Sequence, residues 1–150
     1  FTFLLFTFFN GNAQSIKYKC MIQMTNYAGE GAYIAISLIN KNGTYNKTLY
    51  VLGPDKKWHP DWKEWNKAFK TKKPNLSGIT GASISGGDRT VVTLSLDKAL
   101  INAGYSLRFE TAVEEKNYFA KDVEIPLTTA SLAAKTDGKG YIRYIRFSIN

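Results

Sequence analysis

The sequence predicts an all-β protein: an antiparallel sandwich of about seven strands with one helix inserted after the third. Three observations carry this. Apolar and polar residues alternate in stretch after stretch, the period-two signature of half-buried strands. Turn residues, chiefly Gly and Asn, separate those stretches at short spacing. A single segment, "KKWHPDWKEWNKAFK", breaks the rhythm by placing Trp58, Trp62, Trp65 and Phe69 at intervals of four, three and four. That spacing lays four rings in one stripe along a helix, with lysines on the other side.

The elements follow in order. Residues 16–25 put Ile16, Tyr18, Cys20, Ile22 and Met24 on one face and Lys17, Lys19, Gln23 and Thr25 on the other. A Gly29-Glu30-Gly31 turn leads into "AYIAISLIN", apolar on both faces and therefore a central strand. Asn42-Gly43 signals a two-residue hairpin, and "NKTLYVLG" returns as the third strand. The helix is expected from about Pro60, suited to a first turn, to Lys70, ending before Lys73-Pro74. "RTVVTLSL" resumes the alternation with Thr90, Val92, Leu94 and Leu96. A turn at Ala103-Gly104 precedes a strand that points Tyr105, Leu107, Phe109, Thr111 and Val113 inward. In "YFAKDVEIPL" Phe119, Val123, Ile125 and Leu127 share a side, and Pro126 marks a sheet edge. "GYIRYIRFSI" closes the chain with Tyr141, Ile145, Phe147 and Ile149 in phase. Strands at this spacing suggest an immunoglobulin-like sandwich.

Residues 1–14 stand apart from that domain, which is expected to span 15–150. "FTFLLFTFF" followed by a polar break and Gly11-Asn12-Ala13 matches the apolar core and cleavage site of a truncated secretory signal. The run is shorter than the about 20 apolar residues a membrane-spanning helix requires. The protein is therefore expected in the periplasm or secreted. Its one cysteine, Cys20, alternates with core residues and reads as a small buried side chain.

The net charge is +8, concentrated in residues 41–73, where nine lysines face Asp55, Asp61 and Glu64. A basic face of this kind attracts an anionic ligand, an acidic partner or a headgroup layer. Lys63, Lys67 and Lys70 on the helix are the candidate partner-binding residues. Nucleic acid is a poor candidate for an exported chain without interleaved arginines. The inventory also argues against catalysis. His59 is the only histidine, so no multi-histidine metal site can form, and no phosphate loop or Cys-His pair is present. Acidic residues fall mostly on outward strand positions.

Two features remain as site candidates. The rings of Trp58, Trp62 and Trp65 either dock the helix onto the sandwich or line a place for a flat aromatic ligand, such as a flavin or a haem. The stretch "NLSGITGASISGGDRT" holds four glycines and no aromatic residue. In it Gly81 and Ala82 leave the backbone bare beside the hydroxyls of Thr80 and Ser83. Such a turn either holds an anion or is a tight connection beneath the tryptophans.

The succession of Trp-rich helix, "ITGAS" bend, strand and "NAGYSLRFE" resembles a family of predicted periplasmic proteins of unknown function, over roughly Tyr18 to Ser148. The "AGYSLRFE" segment is also similar to a strand in the immunoglobulin-like domain of the flagellar hook-capping protein. The family resemblance implies an exported β-sandwich associated with membrane proteins of the PepSY type and with flavin transferases. The bend resembles the acceptor motif of covalent flavin carriers, Asp-x-x-(Ser/Thr)-Gly-Ala-(Ser/Thr). Thr80, Gly81, Ala82 and Ser83 match it, while the acidic position falls on Ser77. The resemblance implies a non-catalytic accessory of extracytoplasmic electron transfer, with FMN phosphate on Ser83, Thr80 positioning it, the tryptophans shielding the ring, and a membrane-bound redox partner.

Overall fold

The protein is described by a computed structural model over residues 14–149; the signal-like segment, apart from Gln14, lies outside the described residues. Among the described residues nine strands form two sheets. They are β1 (Ser15–Met24), β2 (Tyr33–Ile39), β3 (Tyr45–Leu52), β4 (Thr80–Gly81), β5 (Arg89–Asp97), β6 (Ser106–Ala112), β7 (Tyr118–Pro126), β8 (Thr136–Asp137) and β9 (Ile142–Ile149). Helix α1 (Lys63–Lys72) follows a 3₁₀ segment, Lys56–Asp61, and a short α2 (Thr129–Ala133) precedes β8. The sheets run β5-β1-β9-β8 and β4-β3-β2-β6-β7.

This order keeps the centre of the immunoglobulin-like pattern, without a strand at the D position and with β8 and the parallel β4 added at sheet edges. Strands β5 and β1 stand at the E and B positions, and β3-β2-β6-β7 at C′, C, F and G. The A position beside β1 is taken by β9, the last long strand, paired antiparallel. Chain order is thus permuted while the B–E and C′–C–F–G neighbours are kept.

The core lies between the sheets. Ile22 and Met24 from β1, Ile34, Ile36 and Leu38 from β2, Leu94 and Leu96 from β5, Leu107 and Phe109 from β6, and Ile145 from β9 are all at or below 2% exposure. Cys20 joins them, and burial pushes its thiol well above the ordinary range, so it is a packing residue. β2 is buried on both faces because α1 lies across the outer side of its sheet. There Ala35, Val51 and Ala112 form a second apolar cluster with Trp62 and Trp65.

Several expectations are corrected. The β2–β3 hairpin has a three-residue loop, with Asn40 N–H bonded to the Thr44 carbonyl and Gly43 at φ 84°. This is the turn closed by a left-handed glycine, in place of the two-residue form. The α-helix starts at Lys63 and continues to Lys72, because the residues around Pro60 wind into the 3₁₀ segment first. Ile149 is 72% exposed, as the end of β9 runs past the cover of the facing sheet. Two acids assigned outward are buried: Glu110 at 2% and Asp122 at 0%. Glu110 does face out of the sandwich, but under α1. Asp122 lies inside a bulged stretch of β7, between Phe119 and Val123, where its side chain leaves the regular alternation.

Candidate functional site

The tryptophan stripe is what holds α1 to the sheet. Trp62 and Trp65 are 0% and 1% exposed and meet edge to face at 5.2 Å. Each indole N–H is bonded: Trp62 to the Tyr33 carbonyl at 3.1 Å, Trp65 to Thr48 Oγ1 at 2.9 Å. Burying two indoles contributes about 4–6 kcal/mol apiece as an upper bound, before entropy. Neither ring has an open face. Trp58, in the 3₁₀ segment, is half-buried, with the Lys57 ammonium 4.8 Å from its ring centre.

The start of α1 has no side-chain cap of its own. Its orphan donors go to the sheet instead: Trp65 N–H to Glu110 Oε1 at 3.0 Å, and Glu64 N–H to the Tyr118 hydroxyl at 3.0 Å. Tyr118 in turn donates to Glu110 Oε1 at 2.6 Å. Burial raises the Glu110 carboxyl above its ordinary range even against these bonds. Burial and the adjacent Glu110 push the Tyr118 hydroxyl up as well.

The bare stretch lies beside the helix, not beneath it. Thr80 and Gly81 add a short parallel strand to β3, with the Val51 and Gly53 N–H groups bonded to the carbonyls of Ile79 and Gly81. The chain then bridges Ile84 to Ala32 and crosses to β5 in the other sheet. A side chain on Gly86 would stand 2.1 Å from the Tyr27 carbonyl oxygen. The segment is bare because it threads along the edge of one sheet and over to the next.

Two hollows flank it. The first is a groove of ≈ 460 Å³ between the 3₁₀ segment, the end of α1 and residues 74–80. Phe69, Leu76, Pro54 and Pro74 give it apolar walls, with Lys56, His59 and Thr80 among its polar lining. The Phe69 ring is stacked on Trp65 at 4.8 Å, and His59 on Trp62 at 5.1 Å. The tryptophans therefore stand behind the rings that reach the groove. His59 Nε2 is held by the Gly53 carbonyl at 2.9 Å. Thr80 lends its hydroxyl to the Leu76 carbonyl at 2.7 Å.

The second hollow, of ≈ 170 Å³, is acidic and is lined by Trp58, Tyr33, Ser83, Glu30, Asp61 and Glu114. Ser83 is exposed, and its hydroxyl leans over Gly31, where a side chain would come within 2.5 Å.

The candidates are thus divided. Thr80 faces the groove, Ser83 and Trp58 share the acidic cleft, and Gly81 and Ala82 line an opening between the sheet edges with Ser83. Trp62 and Trp65 are core. Lys63, Lys67 and Lys70 lie exposed on the far side of α1, Lys67 bonded to Glu64 at 3.0 Å. Sequence reasoning passed over His59 and Phe69 as lining residues, although Phe69 belongs to the same stripe. Among the described residues, no group of three or more His, Cys, Asp or Glu is placed to hold a metal ion.

Fold and site together define a β-sandwich with one face roofed by an aromatic helix and a groove open at the helix end. Residues 15–144 match the family described as predicted periplasmic protein, DUF2271, and the chain belongs to that family. The protein is therefore periplasmic. No curated protein and no solved structure matches the chain.

Proposed function

We propose that the protein is a non-catalytic binding module of the periplasm that carries a flat aromatic anion of the flavin mononucleotide class in the groove between Phe69 and residues 74–80. The observation that carries this reading is the pairing of an aromatic lining with a cationic margin. Phe69 and His59 reach the groove on a fixed backing of tryptophan. Lys56 lines it, and Lys70, Lys72 and Lys73 are exposed on the chain leading into its wall. Its volume is in the range of small-molecule sites, about 300–1,000 Å³. The resemblance of the neighbouring bend to a flavin acceptor motif, and of the family to partners of membrane redox proteins, points to the same class of ligand and to a role in extracytoplasmic electron transfer.

The surroundings of Ser83 do not suit a phosphate. Glu30, Asp61 and Glu114 line the same cleft, and carboxylates repel a phosphodiester. The groove reading accordingly places the ligand non-covalently, with Thr80 and Lys56 nearest its polar end. FMN supplies reversible electron uptake when bound; the chain's own part is to hold the ring and exclude water from one face.

The test is to co-express the protein with a flavin transferase, then record its absorbance between 350 and 500 nm, its intact mass and an FMN titration. A chromophore that is removed by denaturation, with unchanged mass and weaker riboflavin binding, supports the groove. Loss of binding in Phe69→Ala, with retention in Ser83→Ala, supports it further. A mass gain of FMN less water that disappears in Ser83→Ala assigns the ligand to the bend instead. No chromophore and no titration overturns the reading.

A further inference from the structure

We infer that the outer face of α1, together with the 3₁₀ segment before it, docks the protein on an anionic membrane surface. The inference does not need the groove's ligand, although Lys56 and Lys70 belong both to the groove's margin and to this face. Helix α1 lies along the outside of its sheet, pinned by Trp62 and Trp65, so its other side is the surface of the molecule there. Lys63, Lys67 and Lys70 recur at i, i+4 and i+7 on that side and are exposed. Residues 56–73 hold seven lysines, all exposed, against Asp61 and Glu64. Of the seven, Lys67 alone has an acidic partner among the described residues.

The chemistry of the patch selects lipid over a shaped acidic protein. The first arginine in the chain is Arg89, so the patch has ammonium groups and no guanidinium forks. Protein interfaces enrich arginine and deplete lysine, because specific pairing rewards a rigid bidentate donor. A headgroup layer is diffuse and mobile, and suits flexible point charges. Trp58 adds the second element. It is half-buried at the edge of the patch, one side facing the acidic cleft and the Lys57 ammonium 4.8 Å from its ring centre, the amphipathic placement of a ring at a water–hydrocarbon boundary. Among the described residues no helix is long and apolar enough to cross a membrane, so contact made through this face is peripheral.

Each lysine held near an anionic bilayer strengthens binding about fivefold, the equivalent of ~1 kcal/mol. The experiment is co-sedimentation of the protein with phosphatidylglycerol–phosphatidylcholine vesicles and with phosphatidylcholine alone, at about 50 and 500 mM NaCl. The expected result is binding to the anionic vesicles only, lost at high salt. Lys63→Gln/Lys67→Gln/Lys70→Gln is expected to weaken it about 100-fold. Trp62 and Trp65 are buried, so a blue shift of tryptophan emission on binding reports Trp58 and disappears in Trp58→Ala. Lys17→Gln/Lys19→Gln, on the opposite sheet, serves as the control and retains binding within about fivefold. Equal binding to neutral vesicles overturns the inference, as does a control variant as weak as the helix variant. Binding to polyglutamate without binding to vesicles assigns the face to an acidic polypeptide and overturns it too.

Discussion

Glu110 Oε1 accepts the backbone N–H of Trp65 at 3.0 Å, joining an interior strand to the first turn of the helix that covers it. The two residues are 45 apart in the chain, and both are buried. A carboxylate at the start of a helix meets orphan donors and the positive end of the backbone dipole. The sheet thus supplies the cap that the helix lacks, and Tyr118 completes it from the next strand. The position of the groove at the far end of α1 depends on this junction.

Glu110 is expected to be a source of pH dependence. Burial is the largest influence and holds its carboxyl above the ordinary 4.5, although the bonds from Tyr118 and Trp65 act to lower it. The folded protein therefore keeps a proton that the unfolded chain gives up. That contribution is complete below the ordinary value and is lost as pH rises through the raised folded value. Glu110→Gln keeps an acceptor but cannot titrate, so its stability relative to wild type should improve across that window. Glu110→Ala leaves the Trp65 N–H and Tyr118 hydroxyl unmet and should cost about 2–4 kcal/mol. Urea unfolding at a series of pH values measures both, and parallel pH profiles for wild type and Glu110→Gln would exclude the assignment.

Asp122 should be the most sensitive polar position in the sandwich. Its Oδ1 accepts the N–H groups of Lys139 and Gly140, and its Oδ2 those of Tyr141 and Ile142 together with the Thr111 hydroxyl, all within 2.7–3.1 Å. One buried carboxylate thereby orders the entry to β9. Asp122→Asn turns an NH₂ group toward donors and should cost about 3 kcal/mol; Asp122→Ala, which orphans every one of them, should cost more than about 4 kcal/mol. Denaturant midpoints decide this, with hydrogen exchange at Gly140 to Ile142 reporting where order is lost. A loss under about 1 kcal/mol for the alanine variant would contradict it.

What the sequence disclosed and what it hid have physical reasons. Period-two alternation exposed the long strands, since Val92, Leu94 and Leu96 each face one core. The double-sided apolarity of Tyr33–Ile39 exposed a central strand because one side meets the second sheet and the other meets α1. Alternation failed at Asp122, where a register irregularity changes which side a residue faces. It misled at Glu110, because "outward" from a sandwich becomes "inward" once a helix lies on that face. Of the candidate site, the sequence placed the bare bend beneath the tryptophans, whereas Thr80 lines the groove and Ser83 the acidic cleft. It did not show that Trp62 and Trp65 would be consumed in packing, leaving Phe69 and His59 to line the groove. That division depends on which side of the helix the sheet takes, and this is settled by contacts far apart in the chain.

The tryptophans should separate cleanly by stability. Trp65 is surrounded by Trp62, His59 and Phe69, with ring centres at 5.2, 5.5 and 4.8 Å. Trp65→Ala removes that packing and leaves Thr48 Oγ1 without its indole partner, at a cost of about 3–5 kcal/mol. Trp65→Phe, which keeps much of the volume, should cost less but still lose the bond. Trp58→Ala, at the surface, should change stability by under about 1 kcal/mol. Thermal melts of the three variants test the assignment, and equal losses at Trp58 and Trp65 would refute it.

The bare stretch should tolerate a methyl group in one place and not in another. Gly78 has φ +77° and open space where a side chain would stand, so Gly78→Ala pays only for a left-handed backbone, about 1 kcal/mol. At Gly86 the added carbon would meet the Tyr27 carbonyl at 2.1 Å, and backbone has to move. Tyr27 is a poor residue to displace. Its hydroxyl donates to the Ile84 carbonyl and accepts the Ala32 N–H, both at 2.7 Å, fastening the crossing segment to the start of β2. Gly86→Ala should therefore cost about 2–3 kcal/mol and disturb the amide resonances of Ala32 and Ile84, while Gly78→Ala leaves them in place. Equal melting temperatures for the two variants, or unmoved resonances in Gly86→Ala, would mean that close passage between the sheets is not what keeps this stretch free of side chains.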